Sequence, residues 1–157
     1  HPGGLKKAAL WLLGLVSLTI VSGGFVAGLK AGFAYNTFPK MGDQWLPPAG
    51  WMLEPGWLNL FENIATVQFD HRLLALLTLV FVLLFWNKAR QHLLSASART
   101  GAHLLLLAVL LQVGLGISTL LLHVPVVLGV MHQGGALVLL SVVLFVNHRL
   151  RNSRPQT

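Results

Sequence analysis

Four long apolar runs, 8–29, 64–86, 104–122 and 124–146, take up most of the chain, and polar residues return only between them. Coiled at 1.5 Å per residue, each run is long enough to cross roughly 30 Å of hydrocarbon. The pattern predicts an all-α, polytopic membrane four-helix bundle forming a single domain over 1–157, with a long outer loop over 30–63. The first run ends in Ser22-Gly23-Gly24 followed by Gly28. Gly24 and Gly28 form a GxxxG pair, which lets another helix or a flat ligand approach the backbone closely.

Composition agrees with burial in lipid: 55% of the 157 residues are hydrophobic and 10% are charged. A soluble domain of this size needs far more charge to cover its surface. The net charge of +7 raises the question of a nucleic-acid partner, but the placement of the charges excludes it. Lys6 and Lys7 precede the first span, Lys88, Arg90 and Arg99 lie between the second and third, and Arg149, Arg151 and Arg154 follow the fourth. The 30–63 loop is nearly balanced, with Lys30 and Lys40 against Asp43, Glu54 and Glu62. That is the positive-inside pattern, with both termini on the cytoplasmic or matrix side and the lipid bilayer as the first partner.

The connections differ in character. The outer loop carries Trp45, Trp51 and Trp57 among Pro47, Pro48 and Pro55, which suits either a headgroup-level anchor or a functional segment. The 87–103 stretch reads as a polar, basic loop serving topology alone, with His92 and His103 as interfacial residues. A very short turn near His123-Val124-Pro125 makes a tight hairpin, with Pro125 in a first helical turn. The tail over 152–157 is expected to fray. There are no cysteines, which excludes disulfides, iron–sulfur clusters and thiolate ligation. The chain begins with His1 and no signal peptide precedes its first span, so it reads as a piece of a longer protein or a processed product.

An ionisable residue inside a span is expensive and marks a functional site by default. His71 lies seven residues beyond Ile64 and His132 seven beyond Pro125. Both spans run inward, so both histidines sit roughly 10 Å below the outer boundary. Equal depth on two parallel helices suits a bis-histidine metal site. Small or polar residues surround both: Gln68, Ala75 and Thr78 around His71, and Gly129, Gly135 and Ala136 around His132. Gln112, Gly116 and Thr119 form a stripe on the third span, and Gly23 and Gly24 lie near the outer end of the first. Room for a flat macrocycle and two histidines point to haem, because zinc or copper would lack a third strong ligand. The plain alternative is that each histidine hydrogen-bonds a carbonyl across the bundle. His123 is taken as interfacial. Arg72, beside His71 and Asp70, either pairs with outward haem propionates or snorkels to the headgroups.

Several strings resemble the haem A synthase family. They are Gly23-Gly24-Phe25-Val26-Ala27-Gly28-Leu29, Ala34-Tyr35-Asn36-Thr37-Phe38-Pro39-Lys40-Met41, Phe61-Glu62-Asn63, and Val67-Gln68-Phe69-Asp70-His71-Arg72. Gln112-Val113-Gly114-Leu115-Gly116-Ile117-Ser118-Thr119-Leu120 and His132-Gln133 with Gly135 complete the pattern. Members of that family hold two similar four-helix bundles, and this chain resembles the C-terminal one, with the N-terminal companion missing. The resemblance implies a haem b held through iron by His71 and His132. Arg72, Gln68, Gln133, Gly135 and Gly116 complete the expected cofactor-binding set, and none is expected to be catalytic. The family's other bundle carries a glutamate three residues before its histidine, where this chain has Gln68, so the resemblance implies a cofactor half rather than a catalytic half.

The implied reaction of the full-length protein is oxidation of the C8 methyl of haem O to the formyl of haem A. The chain would then be part of an oxidoreductase. Haem O and haem A are its implied substrate and product, and haem O synthase and cytochrome oxidase assembly factors are candidate partners. Two other readings stay open: a cytochrome b-type electron-transfer module without catalysis, and an assembly subunit whose histidines only stitch helices together. The short loops favour a bacterial plasma membrane over a mitochondrial inner membrane.

Overall fold

A computed structural model describes residues 2–152. Helix starts are set by short polar side chains. Asn63 accepts from the backbone N–H groups of Ala65 and Thr66 at 3.0 and 3.3 Å and opens α3, Ile64–Ala89. Ser95 accepts from Ala98 N–H at 3.3 Å and opens α4, Ala96–Leu121. These caps satisfy amides that a helix start leaves unpaired. Helix α1 spans Pro2–Gly28, the short α2 spans Asn59–Glu62, and α5 spans Val126–Asn152. Lys88 near the end of α3, and Arg149 and Arg151 near the end of α5, lie where the helix dipole favours positive charge.

Helices α1, α3, α4 and α5 are each long and apolar enough to cross a membrane, and the described residues contain no strand. They follow one another around a square: α1 packs on α3 and α4 on α5 most extensively, while the α1–α5 and α3–α4 contacts are thinner. Helices α3 and α5 therefore face each other across a diagonal. Both ends of the described chain lie at one end of the bundle, where Asn147 Nδ2 donates to Ala9 O at 2.8 Å. The loop between α1 and α3 covers the opposite end.

Helix limits depart from the apolar runs in instructive places. The basic 87–103 stretch is mostly helical, with only a short link between Ala89 and Ala96. Hydropathy falls there, but packing continues: a Cβ on Gly101 would sit 3.0 Å from Val146 Cγ2 and 3.2 Å from the Phe145 ring. His103 is part of α4 and accepts from Trp86 Nε1 at 3.0 Å. At the hairpin, His123 and Val124 both take left-handed conformations, φ 61° and 56°. A β-branched residue is strained there. Val124 N–H bonds Thr119 O at 2.8 Å, and Pro125 accepts from Gly129 N–H, so α5 starts just after the proline. Of the tail expected to fray, Asn152 still belongs to α5, while residues 153–157, Arg154 among them, and His1 lie outside the described residues.

The core is confined to one half of the bundle. Leu5, Ala9, Leu12 and Val16 on α1 meet Val82, Phe85 and Ala89 on α3. Ala98, Ala102, Leu105 and Val109 on α4 and Leu139, Val143, Val146 and Leu150 on α5 complete it. The alternating spacings of three and four are those of left-handed helix packing. Toward the loop the same registers continue, but small and polar side chains interrupt them before buried Val67 and Ala65 at the outer end of α3.

Candidate functional site

Extending each core register toward the loop gives one layer. Seven residues beyond Val16 is Gly23, and Val82 leads back through Thr78 and Ala75 to His71. Val109 leads through Gln112 to Gly116, and Leu139 leads back through Ala136 to His132. Two histidines from diagonal helices and two glycines from the other pair thus share a level. The imidazole centres of His71 and His132 are 6.4 Å apart with planes at 81°. Each ring rests on a glycine: a Cβ on Gly23 would lie 3.1 Å from His71 Cε1, and one on Gly116 would lie 2.9 Å from His132 Cε1. Any side chain at Gly116 would displace the ring it supports.

The ring spacing tests what the pair could hold. An imidazole nitrogen binds a transition metal at about 2.0–2.1 Å, so two ligands on opposite sides of one metal have ring centres roughly 6.3 Å apart. The observed separation of the ring centres matches that length. Among the described residues no third His, Cys, Asp or Glu converges with the pair. The pair therefore suits a metal whose other positions are filled by a macrocycle. Among the described residues, Arg72 Nε, Gln112 Oε1 and His132 Nδ1 are buried polar atoms without a hydrogen-bond partner, and all three belong to residues at or next to this layer.

The two histidines are held differently. His71 Nδ1 lies 2.8 Å from Ser22 Oγ, whose hydroxyl also donates to Thr19 O at 2.7 Å. Just below, Thr19 and Thr78 hydroxyls meet at 3.0 Å and tie α1 to α3. No hydroxyl holds the ring of His132. Its backbone carbonyl accepts from Gln112 Nε2 at 2.7 Å, and a Cβ on Gly135 would collide with Gln112 Oε1. Gly135 thus makes room for the glutamine that braces α5 beside His132.

Gln68 and Arg72 are brought one and zero turns from His71 but face the loop. Gln68, 2% exposed, donates through Nε2 to Ala31 O at 2.8 Å and Tyr35 O at 3.3 Å. Its Oε1 accepts from Arg72 Nη2 at 2.9 Å. Arg72 also donates to Tyr35 O at 2.8 Å, Lys40 O at 3.2 Å and Pro39 O at 3.5 Å. Together they latch the loop onto α3. Gln133 lies on the exposed face of α5, with no hydrogen bond among the described residues. Gly24 and Gly28 are exposed with nothing within 4 Å, so their GxxxG pair meets no helix among the described residues. His123 is exposed at the hairpin, away from the pair.

The loop is ordered by its own side chains. Asn59, fully buried, bonds the backbone of Leu53 in both directions at 3.0 Å and Gly56 O at 2.9 Å. Asn36 Nδ2 reaches Leu120 O at 2.9 Å, Thr66 Oγ1 donates to Gly50 O, and Met41 is buried. Trp45, Leu46, Trp51, Met52 and Trp57 point outward. Sequence reasoning missed Ser22, although its helical turn could be placed by counting from Val16.

A family model described as cytochrome oxidase assembly protein (COX15-CtaA) matches residues 1–144. A Heme A synthase of Nitrosospira multiformis is 51% identical over 94% of this chain and 42% of its own length. Heme A synthase COX15 of Arabidopsis thaliana is 48% identical over 96% of this chain and 33% of its own length, and that of Homo sapiens 44% identical over 94% and 36%. The chain thus spans about two fifths or less of the relatives it matches. No solved structure matches it.

Proposed function

From the premise that this chain belongs to the cytochrome oxidase assembly family of the haem A synthases, we propose that it is the cofactor-holding half of such an enzyme. The full-length protein would oxidise the C8 methyl of haem O to the formyl of haem A, and this half would hold a haem b between His71 and His132. The observation that carries the reading is the pair of imidazoles on diagonal helices, with ring centres 6.4 Å apart and planes at 81°. Bound there, haem iron would supply one-electron transfer to or from a substrate site outside this chain.

What the chain's own residues do follows from their contacts. His71 and His132 would hold the haem iron through their imidazole nitrogens. Gly23 and Gly116 let both rings reach the middle of the bundle, and Gly135 leaves space for Gln112 to brace α5. Gln68 and Arg72 hold the loop over the site and keep water from it. Both ends of the Gln68 amide are used in that latch, so no side chain one turn from His71 serves as acid or base. That supports a cofactor role rather than catalysis at this level. Arg72 Nε remains as a donor for a propionate. The positive-inside pattern puts the loop and the site on the outer side of the membrane, with both termini on the cytoplasmic or matrix side. The short connections favour a bacterial plasma membrane.

Oxidised and reduced optical spectra of the purified, haem-loaded chain test this. A low-spin bis-histidine signal is expected, lost in both His71→Ala and His132→Ala. A wild-type chain without that signal, or single variants that keep it, would show that the histidines only join helices.

A further inference from the structure

We propose that Ser22 is a positioning residue that fixes the tautomer and the aim of His71, making the two histidines unequal ligands. This rests on the reading of His71 as an iron ligand. A serine hydroxyl has one proton, and a backbone carbonyl can only accept. Ser22 Oγ lies 2.7 Å from Thr19 O and 2.8 Å from His71 Nδ1. Both contacts are satisfied together only when the hydroxyl proton points to Thr19 O and His71 Nδ1–H donates to Ser22 Oγ. The proton of the neutral imidazole is then on Nδ1, and the lone pair needed for a metal is on Nε2.

The same contact fixes the ring's rotation. Ser22 sits on α1, one residue before the glycine on which the His71 ring rests, so hydroxyl and floor hold the imidazole from two directions. His132 has the matching floor in Gly116 and the Gln112 backbone near its ring, but no hydroxyl meets its Nδ1. A hydrogen bond accepted from Nδ1–H increases the basicity of the ligating nitrogen. His71 would therefore be the stronger, better aimed ligand, and its donation would favour the oxidised state of a bound iron.

The test uses the haem-loaded chain and reads midpoint potential by optical titration and haem transfer to an acceptor protein. Ser22→Ala is expected to raise the potential and to weaken haem retention by about 10–100-fold, the usual loss for an outer-shell partner of a metal ligand. Ser22→Thr keeps the hydroxyl and is expected to restore both. Ser22→Asp, a stronger acceptor, is expected to move the potential the other way. Ser22→Ala indistinguishable from wild type would overturn the proposal, and so would equal losses in Ser22→Ala and Ser22→Thr, which mark packing. A wild-type chain with no low-spin haem signal fails the histidine reading itself, a different result from wild-type haem that is indifferent to Ser22.

Discussion

The two halves of this bundle share one helix register and fill it with opposite chemistry. In the half near the termini, Leu5, Leu12, Val16, Val82, Phe85, Leu105, Val109, Val143 and Leu150 interlock at spacings of three and four. In the half under the loop, the continuing positions are Gly23, His71, Gly116 and His132, with Thr78 and Gln112 between the two levels. The first half needs only mutual fit. The second leaves buried polar atoms without partners and backbone without side chains, as suits a place that receives something else. The bundle is thus a clamp whose closed half fixes the geometry of its open half.

The sharpest way to break that division is to give the open half an apolar side chain. Gly116→Leu would place its Cβ 2.9 Å from His132 Cε1 and the rest of the residue in the ring's space. The expected outcome is complete loss of the low-spin haem spectrum while the chain still folds, as judged by helical circular dichroism in detergent. Retention of the spectrum would mean that His132 does not need its present position.

The converse change leaves the site intact and loosens the clamp. Leu105→Ala opens a cavity among fully buried neighbours, and core truncations of that kind destabilise by about 2–5 kcal/mol. The lower end is expected, because lipid rather than water surrounds the separated helices. Unfolding in mixed detergent should shift by that amount with the haem spectrum unchanged.

The spans and the depth of the histidines were legible because an apolar run long enough to cross a bilayer is rare, and a histidine inside it stands out. Gly116 and Gly135 were legible as small residues on the right stripes. What each glycine touches was not. Gly23 and Gly24 read alike in sequence, yet Gly23 lies under His71 and Gly24 meets nothing, because the difference is the rotation of α1 against α3. The loop hid most. Its order rests on Asn59, Asn36 and Met41, single side chains with no periodicity to announce them. Arg72 read as a propionate or headgroup partner, and its four loop and glutamine contacts through the terminal nitrogens could not be read from sequence.

That latch offers a test between the first two in character. Gln68→Ala removes two donations to the loop backbone and one acceptor for Arg72. Leaving such buried groups unpaired costs about 1–3 kcal/mol. The loss is local, so protease cleavage within 31–50 should accelerate while detergent unfolding of the helices stays near wild type. Unchanged cleavage would mean that Asn36 and Asn59 hold the loop without the latch.

The smallest effect is expected where polarity intrudes on the closed half. Asn147 is buried and donates to Ala9 O at 2.8 Å and to its own helix at Val143 O at 3.0 Å, so only one of its two bonds joins α5 to α1. Hydrogen bonds between membrane helices average about 0.6 kcal/mol and reach about 1.7 kcal/mol, because separated helices find other partners. Asn147→Ala should therefore destabilise by about that amount and leave haem content untouched, read from the same unfolding curves as Leu105→Ala. A loss as large as that of Leu105→Ala would show that the closed half depends on this bond as well as on fit. Lost haem would show that the two halves are coupled through α5, since Asn147 and His132 lie on one helix at opposite ends of its buried face.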